Sequence, residues 1–200
     1  RGFSFQNDGP LDMRMSKSGA TAADFLNNKN EKEISDIIYR FGEERSSRKI
    51  AKAIINYKKK KNLETTFELA QIIRTVKKTS KKKFIDPSTK TFQAIRIYVN
   101  NELSELEKGL DSAVKILKKG GILAIISFHS MEDRIVKDFF NRNSGKTSNI
   151  SRYLPPIEPN NIVKSLKVIT KKVIKPMKDE IKLNYYSRSA KLRIAKKIWY

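Results

Sequence analysis

Two hundred residues carry 43 Lys and Arg against 21 acidic residues, a net charge of +22, with 38% hydrophobic residues. That apolar share supports a packed core and argues against disorder, and the length fits one domain, or one domain carrying an insertion. The charge implies a polyanionic partner; no apolar run approaches the roughly 18 residues of a membrane span, which favours nucleic acid over a membrane surface. Cysteine is absent, which excludes disulfides, thiolate metal sites and covalent attack by Cys on a pyrimidine ring. A single histidine, His129, excludes a His-rich metal centre, so no metal is expected.

Arg1–Met15 reads as an aperiodic loop rich in Gly, Asp and Arg around Pro10. From about Ser16 to Lys90 the chain is helical and very basic. Asn30 with Glu33 forms a capping box for a helix bearing Ile34, Ile37, Ile38 and Phe41, stopped at Gly42. A second helix is predicted over about Glu43 to Lys60 with Ile50, Ile54 and Tyr57 on one face; Glu43 and Glu44 would complement its dipole. Thr65 with Glu68 caps a third, striped by Leu69, Ile72, Ile73 and Val76. The runs Lys58–Lys61 and Lys77–Lys83 bracket that helix. Together they predict one phosphate-facing surface, with Lys58, Lys59, Lys81 and Lys82 as its candidate contacts.

After Asp86, a long helix is predicted from Phe92 to Leu117, ending at Gly120 and Gly121. Ile122 to Ile126 reads as a buried strand, Ser127 to Ser130 as a loop, and Met131 to Asn141 as an amphipathic helix. That succession predicts an α/β sheet in parallel order. A loop with Pro155, Pro156 and Pro159 follows. Two alternating stretches, Leu166–Ile174 and Ala190–Trp199, predict a long hairpin at the sheet edge.

Two places could carry chemistry. Ligands in open α/β sheets collect at the carboxyl ends of strands, which is where Ser127, Phe128 and His129 stand. Ser130 is expected to cap the next helix with Asp133 at its third position, and Arg134 follows on that helix as a candidate RNA contact. Phe128 could stack on a base or fill the core. The loop Asp8-Gly9-Pro10-Leu11-Asp12-Met13-Arg14 holds two carboxylates and a guanidinium. It is either a turn fastened by an Asp–Arg pair, or an acceptor for a cytosine amine with Arg14 turned toward a phosphate. Arg188, near the start of the last strand, could bind phosphate or serve structure.

Five blocks, RGFSF, DGPLDMRM, GEER, TFQAIRIYVNNEL and GGILAIISFHSMEDRIVK, together with RSAKLR, stand in the order seen in the RsmH (MraW) family, which the chain resembles over essentially its whole length. The resemblance implies S-adenosylmethionine-dependent N4-methylation of a decoding-centre cytidine in small-subunit (16S) ribosomal RNA, by a cytoplasmic bacterial enzyme or an organellar one. It also implies a Rossmann-like methyltransferase core, here partial (1–15 and 100–200), with an inserted all-helical RNA-recognition domain (16–99). The implied partners are small-subunit ribosomal RNA and the small ribosomal subunit.

On that resemblance Asp8, Asp12, Ser127 and His129 are the catalytic candidates, while Arg14, Phe128, Arg134 and Arg188 are the RNA-binding ones. Asp86 stands where the family usually has His, and Tyr185-Tyr186 where it usually has Pro-Arg. The family's cofactor-binding residues precede RGFSF, so they are expected upstream of Arg1 and the chain alone is expected to be inactive. Two other readings stay open: a non-catalytic rRNA-binding or assembly protein derived from such an enzyme, and a methyltransferase acting on DNA or on another RNA base.

Overall fold

The computed structural model describes residues 2–77, 86–145 and 164–199. The chain forms two compact units, Arg1–Glu102 and Leu103–Tyr200.

The first unit is helical, built of α1 (Ala22–Asn28), α2 (Glu31–Gly42), α3 (Ser47–Lys58), α4 (Thr66–Val76) and α5 (Thr89–Asn100). Apolar residues recurring every three to four positions give each helix one stripe, and the stripes meet in a single core. Leu26, Ile34, Ile38, Ile50, Ile54, Leu69, Ile73 and Ile95 are fully buried in it. Each such side chain contributes about 1.5–3 kcal/mol. Helix α2 packs on α3 and α5, and α3 on α4. Gly42 permits the α2–α5 approach, since a Cβ there would lie 2.5 Å from the Lys90 carbonyl oxygen.

Three sequence expectations change here. The second helix starts at Ser47, because Glu43 adopts a left-handed conformation (φ 48°) that closes α2. Glu44, expected in the helix's first turn, instead precedes the helix and is buried, accepting from Lys77 Nζ at 2.6 Å and the Ser46 amide at 2.8 Å. The long helix after Asp86 is two helices, broken at Asn101 (φ 51°), a residue whose short amide tolerates the left-handed region. The loop ending at Met15 packs among these helices. Leu11 and Met13 are buried in the helical core, and the Leu11 backbone pairs with Glu64 and Ala23 at 2.8 Å each.

The second unit holds α6 (Glu102–Ile116), β1 (Ile122–Ser127), α7 (Ser130–Asn143), β2 (Leu166–Val168), α8 (Lys178–Leu183), a 3-10 turn (Tyr185–Ser189) and β3 (Lys191–Lys197). The sheet order is β1-β3-β2, with β3 antiparallel to both neighbours. The expected parallel order is therefore confined to the shared direction of β1 and β2, which are not bonded to each other. β2 and β3 pair as the expected hairpin would, and the Ile174–Leu192 bridge extends the pairing. Their connection contains α8 and the 3-10 turn, however, and β3 is central, not an edge. Alternation reports which face of a strand is buried and is silent on how many neighbours bond to it.

Helix α7 covers the strands, and Leu110, Val114, Leu123, Val136, Phe139, Phe140, Leu166 and Ala195 form the core. Lys197 is buried, with its ammonium donating to the Val114 carbonyl near the end of α6. The Pro155–Pro159 loop lies outside the described residues.

Glu68 fastens the loop between α3 and α4. Its carboxylate accepts from the amides of Glu64 (2.9 Å) and Thr65 (3.1 Å), the Tyr57 hydroxyl (3.0 Å) and Lys61 Nζ (2.8 Å). Burial pushes its pKa up, but these donors outweigh burial and hold it at about 2, below the ordinary 4.5. With the folded value depressed, the stabilisation is complete above about pH 4.5 and is lost as pH falls toward 2. Glu68→Gln should therefore cost about 2 kcal/mol at pH 7, with the gap to the native protein closing near the acid end. Denaturant titration across pH checks this; a gap independent of pH would show that the carboxylate charge is not what stabilises.

Candidate functional site

The Asp8–Met15 loop is built into the first unit residue by residue. Asp8 Oδ1 accepts from the amides of Phe67 (3.1 Å) and Gly9 (2.9 Å), so it supplements Thr65 at the N-terminus of α4. The Phe67 amide above all holds its pKa below the ordinary carboxylate value. Pro10 bridges to Thr65, and the Gly9 carbonyl accepts from the Thr66 amide at 2.9 Å. Asp12 and Arg14 form a bidentate pair, with Nε to Oδ1 at 2.6 Å and a terminal nitrogen to Oδ2 at 3.0 Å. The other terminal nitrogen of Arg14 reaches the Gly19 carbonyl at 2.9 Å. The Arg14 hydrogen bonds lower the Asp12 pKa against the effect of burial.

Met13, between them, is buried with φ 60°, a conformation that a long side chain adopts only when its surroundings enforce it. Asn100 supplies that enforcement. Its amide nitrogen donates to the Met13 carbonyl and its amide oxygen accepts from the Met15 amide, both at 2.7 Å. The result is a loop whose Leu11 and Met13 point inward while the Asp12 side chain keeps 30% exposure. Such a carboxylate is ionised and oriented, an acceptor for a donor-bearing group.

The second candidate lies in the second unit, at the carboxyl end of β1. Ser127 is buried, paired in register with Lys191, and its hydroxyl faces the Lys191 carbonyl at 3.4 Å. Phe128 is 56% exposed, which takes it out of the core. The capping box of α7 uses His129 and Glu132, one residue earlier than the expected Ser130–Asp133 pair. The Glu132 carboxylate accepts from the amides of Phe128 (2.8 Å) and His129 (3.2 Å), while His129 Nδ1 accepts from the Glu132 amide at 3.3 Å. An accepting Nδ1 puts the imidazole proton on Nε2, which faces Glu132 Oε1 at 3.3 Å.

Asp133 is free of the cap and grips β3 instead. It takes Arg193 bidentately at 2.7 and 3.1 Å and lies 4.0 Å from Lys191. Arg193 above all lowers its pKa. Both carboxylates that follow β1 are thus committed, Glu132 to the helix cap and Asp133 to Arg193.

The expected cationic contacts disperse. Lys58 donates to the carbonyls of Leu26, Asn27 and Lys29, so it closes the C-terminus of α1 and is not a solvent-facing lysine. Lys59 is exposed. Lys81 and Lys82 lie outside the described residues. Arg134 is exposed on α7; Arg188 stacks over the Tyr185 ring at 4.3 Å and donates to its carbonyl at 3.2 Å. Asp86, which stands where the family usually has His, pairs with Arg74 at 2.7 Å.

Asn100, Arg193 and Glu68 were missed as organising residues. Glu68 was legible only as a cap partner. The other two act on residues far away in the chain, which leaves no local signal.

The MraW methylase family profile matches residues 1–198. The chain is 54% identical to the ribosomal RNA small subunit methyltransferase H of Rickettsia prowazekii (strain Madrid E). It is 53% identical to the protein of that name from Rickettsia akari (strain Hartford) and 54% to the one from Rickettsia typhi (strain ATCC VR-144 / Wilmington). Each comparison covers 99% of this chain and 64% of the relative, so the chain spans a little under two thirds of the length of these relatives.

The different environments of two adjacent lysines make a direct test. Lys58→Met should destabilise the first unit by about 1–2 kcal/mol through loss of its carbonyl contacts, whereas Lys59→Met should stay within about 0.5 kcal/mol. Chemical denaturation followed by circular dichroism reads both; equal effects would mean the α1 cap contributes nothing.

Proposed function

Because this chain belongs to the MraW methylase family, we propose that it is part of an enzyme that methylates small-subunit ribosomal RNA from S-adenosylmethionine, at the N4 amine of a decoding-centre cytidine. The observation that carries the reading is the match over residues 1–198 to relatives named for that ribosomal RNA subunit. The net charge of +22 suits a ribosomal RNA partner within the small subunit. No helix among the described residues is long and apolar enough to cross a membrane, and the bacterial relatives favour a cytoplasmic site of action.

On this reading the second unit is part of a Rossmann-like core. Ile122, Ala124 and Ile126, on the face of β1 away from Leu123, are exposed in an apolar strand of the type that α/β sheets bury on both sides. The helical residues 16–99 are the RNA-recognition part.

What this chain supplies is the acceptor side. A cytosine amine is a poor nucleophile, its lone pair being delocalised into the ring, so alignment and hydrogen bonding to its protons govern the rate. Asp12, ionised and held by Arg14, accepts a hydrogen bond from that amine. Asp8, ionised and largely occupied by Phe67, positions the loop. Asp12 has a depressed pKa, which makes it a better acceptor than base; the amine proton passes to water. In the second unit, taken by itself, His129 caps α7 with Nε2 turned toward Glu132, and Phe128 offers an exposed ring suited to stacking on an unpaired base. Ser127, buried under Lys191, holds the strand end.

The test is transfer of labelled methyl to small subunits lacking the modification, measured for this chain and for the chain extended to the length of its relatives, with the product nucleoside identified. The extended protein should yield N4-methylcytidine at one position, and Asp12→Asn should lower its kcat by about a hundredfold or more with little change in KM. Label on another base would overturn the substrate assignment. Tight binding to the subunit without transfer would leave a non-catalytic rRNA-binding relative.

A further inference from the structure

The lysine runs that the sequence marks as phosphate contacts are partly used inside the fold. Lys58 closes α1, Lys61 pairs with Glu68 at 2.8 Å, and Lys77 pairs with Glu44 at 2.6 Å. A different set of cations stays open to solvent. From Arg45 to Asn62 the chain has no acidic residue. Arg45, Arg48, Lys49, Lys52, Lys59 and Lys60 are all exposed, and no carboxylate among the described residues pairs with them.

Helical geometry gathers them. At about 100° per residue, Arg48, Lys49, Lys52 and Lys59 fall within one arc of roughly 100°, on the face of α3 opposite Ile50 and Ile54. The arc runs about 16 Å along the axis, and Arg45 and Lys60 flank its two ends. Helix α2 differs: its exposed Lys32 and Arg40 alternate with Glu31 and Asp36.

This arrangement works against the isolated helix. Like charges three and four residues apart repel. The first turn of α3 has no acidic residue and carries Arg48 and Lys49, where the macrodipole favours negative charge. A polyanion lying along the face removes both penalties at once.

The geometry points to the exposed face of α3 as the surface that docks the phosphate backbone of the RNA substrate. It grips by charge and does not read bases, since its exposed side chains are Lys and Arg with Asn56 among them. The inference rests on the RNA reading above and centres the contact on one helix face that shares Lys59 with the first lysine run.

The experiment titrates fluorescently labelled small-subunit ribosomal RNA with this chain at several salt concentrations, by anisotropy. Changing Arg48, Lys49, Lys52 and Lys59 together to Gln should weaken binding about a hundredfold near 0.1 M salt and flatten the salt slope by about three. The set with Lys49, Lys52 and Lys59 changed to Arg should bind as the native chain does. All four side chains are exposed, so Tm should hold. A control changes the exposed Lys167, Lys171, Lys172 and Lys175 of the second unit to Gln. An equal loss in that control, or an unchanged slope in the α3 variant, overturns the proposal and leaves RNA binding standing. Absence of RNA binding by the native chain, with capture by phosphatidylserine vesicles, removes the RNA reading itself.

Discussion

The unmade hydrogen bonds at helix ends organise the first unit. Each α-helix leaves four amides and four carbonyls without an internal partner, and a unit of short helices has many such ends for its size. Here the partners are side chains. Thr21 with Asp24, Asn30 with Glu33 and Thr65 with Glu68 form complete capping boxes at the starts of α1, α2 and α4. Asp8 adds a second acceptor at α4, and Lys58 closes α1 from the far end of α3. The loop that bears Asp12 is positioned through these same end groups, so the candidate site and the caps form one hydrogen-bonded structure.

That constraint also sorts the charge. Carboxylates are the scarcer groups in this chain, and most of those in the first unit are taken up by caps and partly buried pairs: Glu44 with Lys77, Asp86 with Arg74, Arg96 with Glu102 at 2.8 Å. The cations exceed them by a wide margin. Those within reach of a carbonyl or a buried acid become structural. The surplus stays on exposed faces, and among the described residues α3, which has no acid of its own, carries Arg48, Lys49 and Lys52 in the open. Net charge states that a polyanion is wanted; the caps decide where the unmatched cations remain.

In the second unit, the pairing of Asp133 with Arg193 does the corresponding work. It ties the first turn of α7 to β3 and so fixes the end of β1, where Ser127, Phe128 and His129 emerge. The capping box starts at His129 because its Nδ1 can serve as the N-cap acceptor. Asp133, one residue further than the cap needs, is thereby released for the strand.

The sequence by itself determined α2, α4 and the body of α3, the cap pairs Asn30–Glu33 and Thr65–Glu68, the strand at Ile122, the amphipathic helix after it and the family. These signals are local: they lie in periodicity and in spacings of three or four residues, which the chain cannot express without forming the element. Tertiary structure alone decided that Leu11 and Met13 bury the loop among helices, that β3 lies between β1 and β2, and that the helix after Asp86 breaks at Asn101. It also decided which lysines are structural. Lys58 and Lys59 are chemically identical neighbours, and about 100° of helical rotation turns one toward the α1 carbonyls and leaves the other in water. A charge run cannot reveal that difference, because it depends on where the next helix ends.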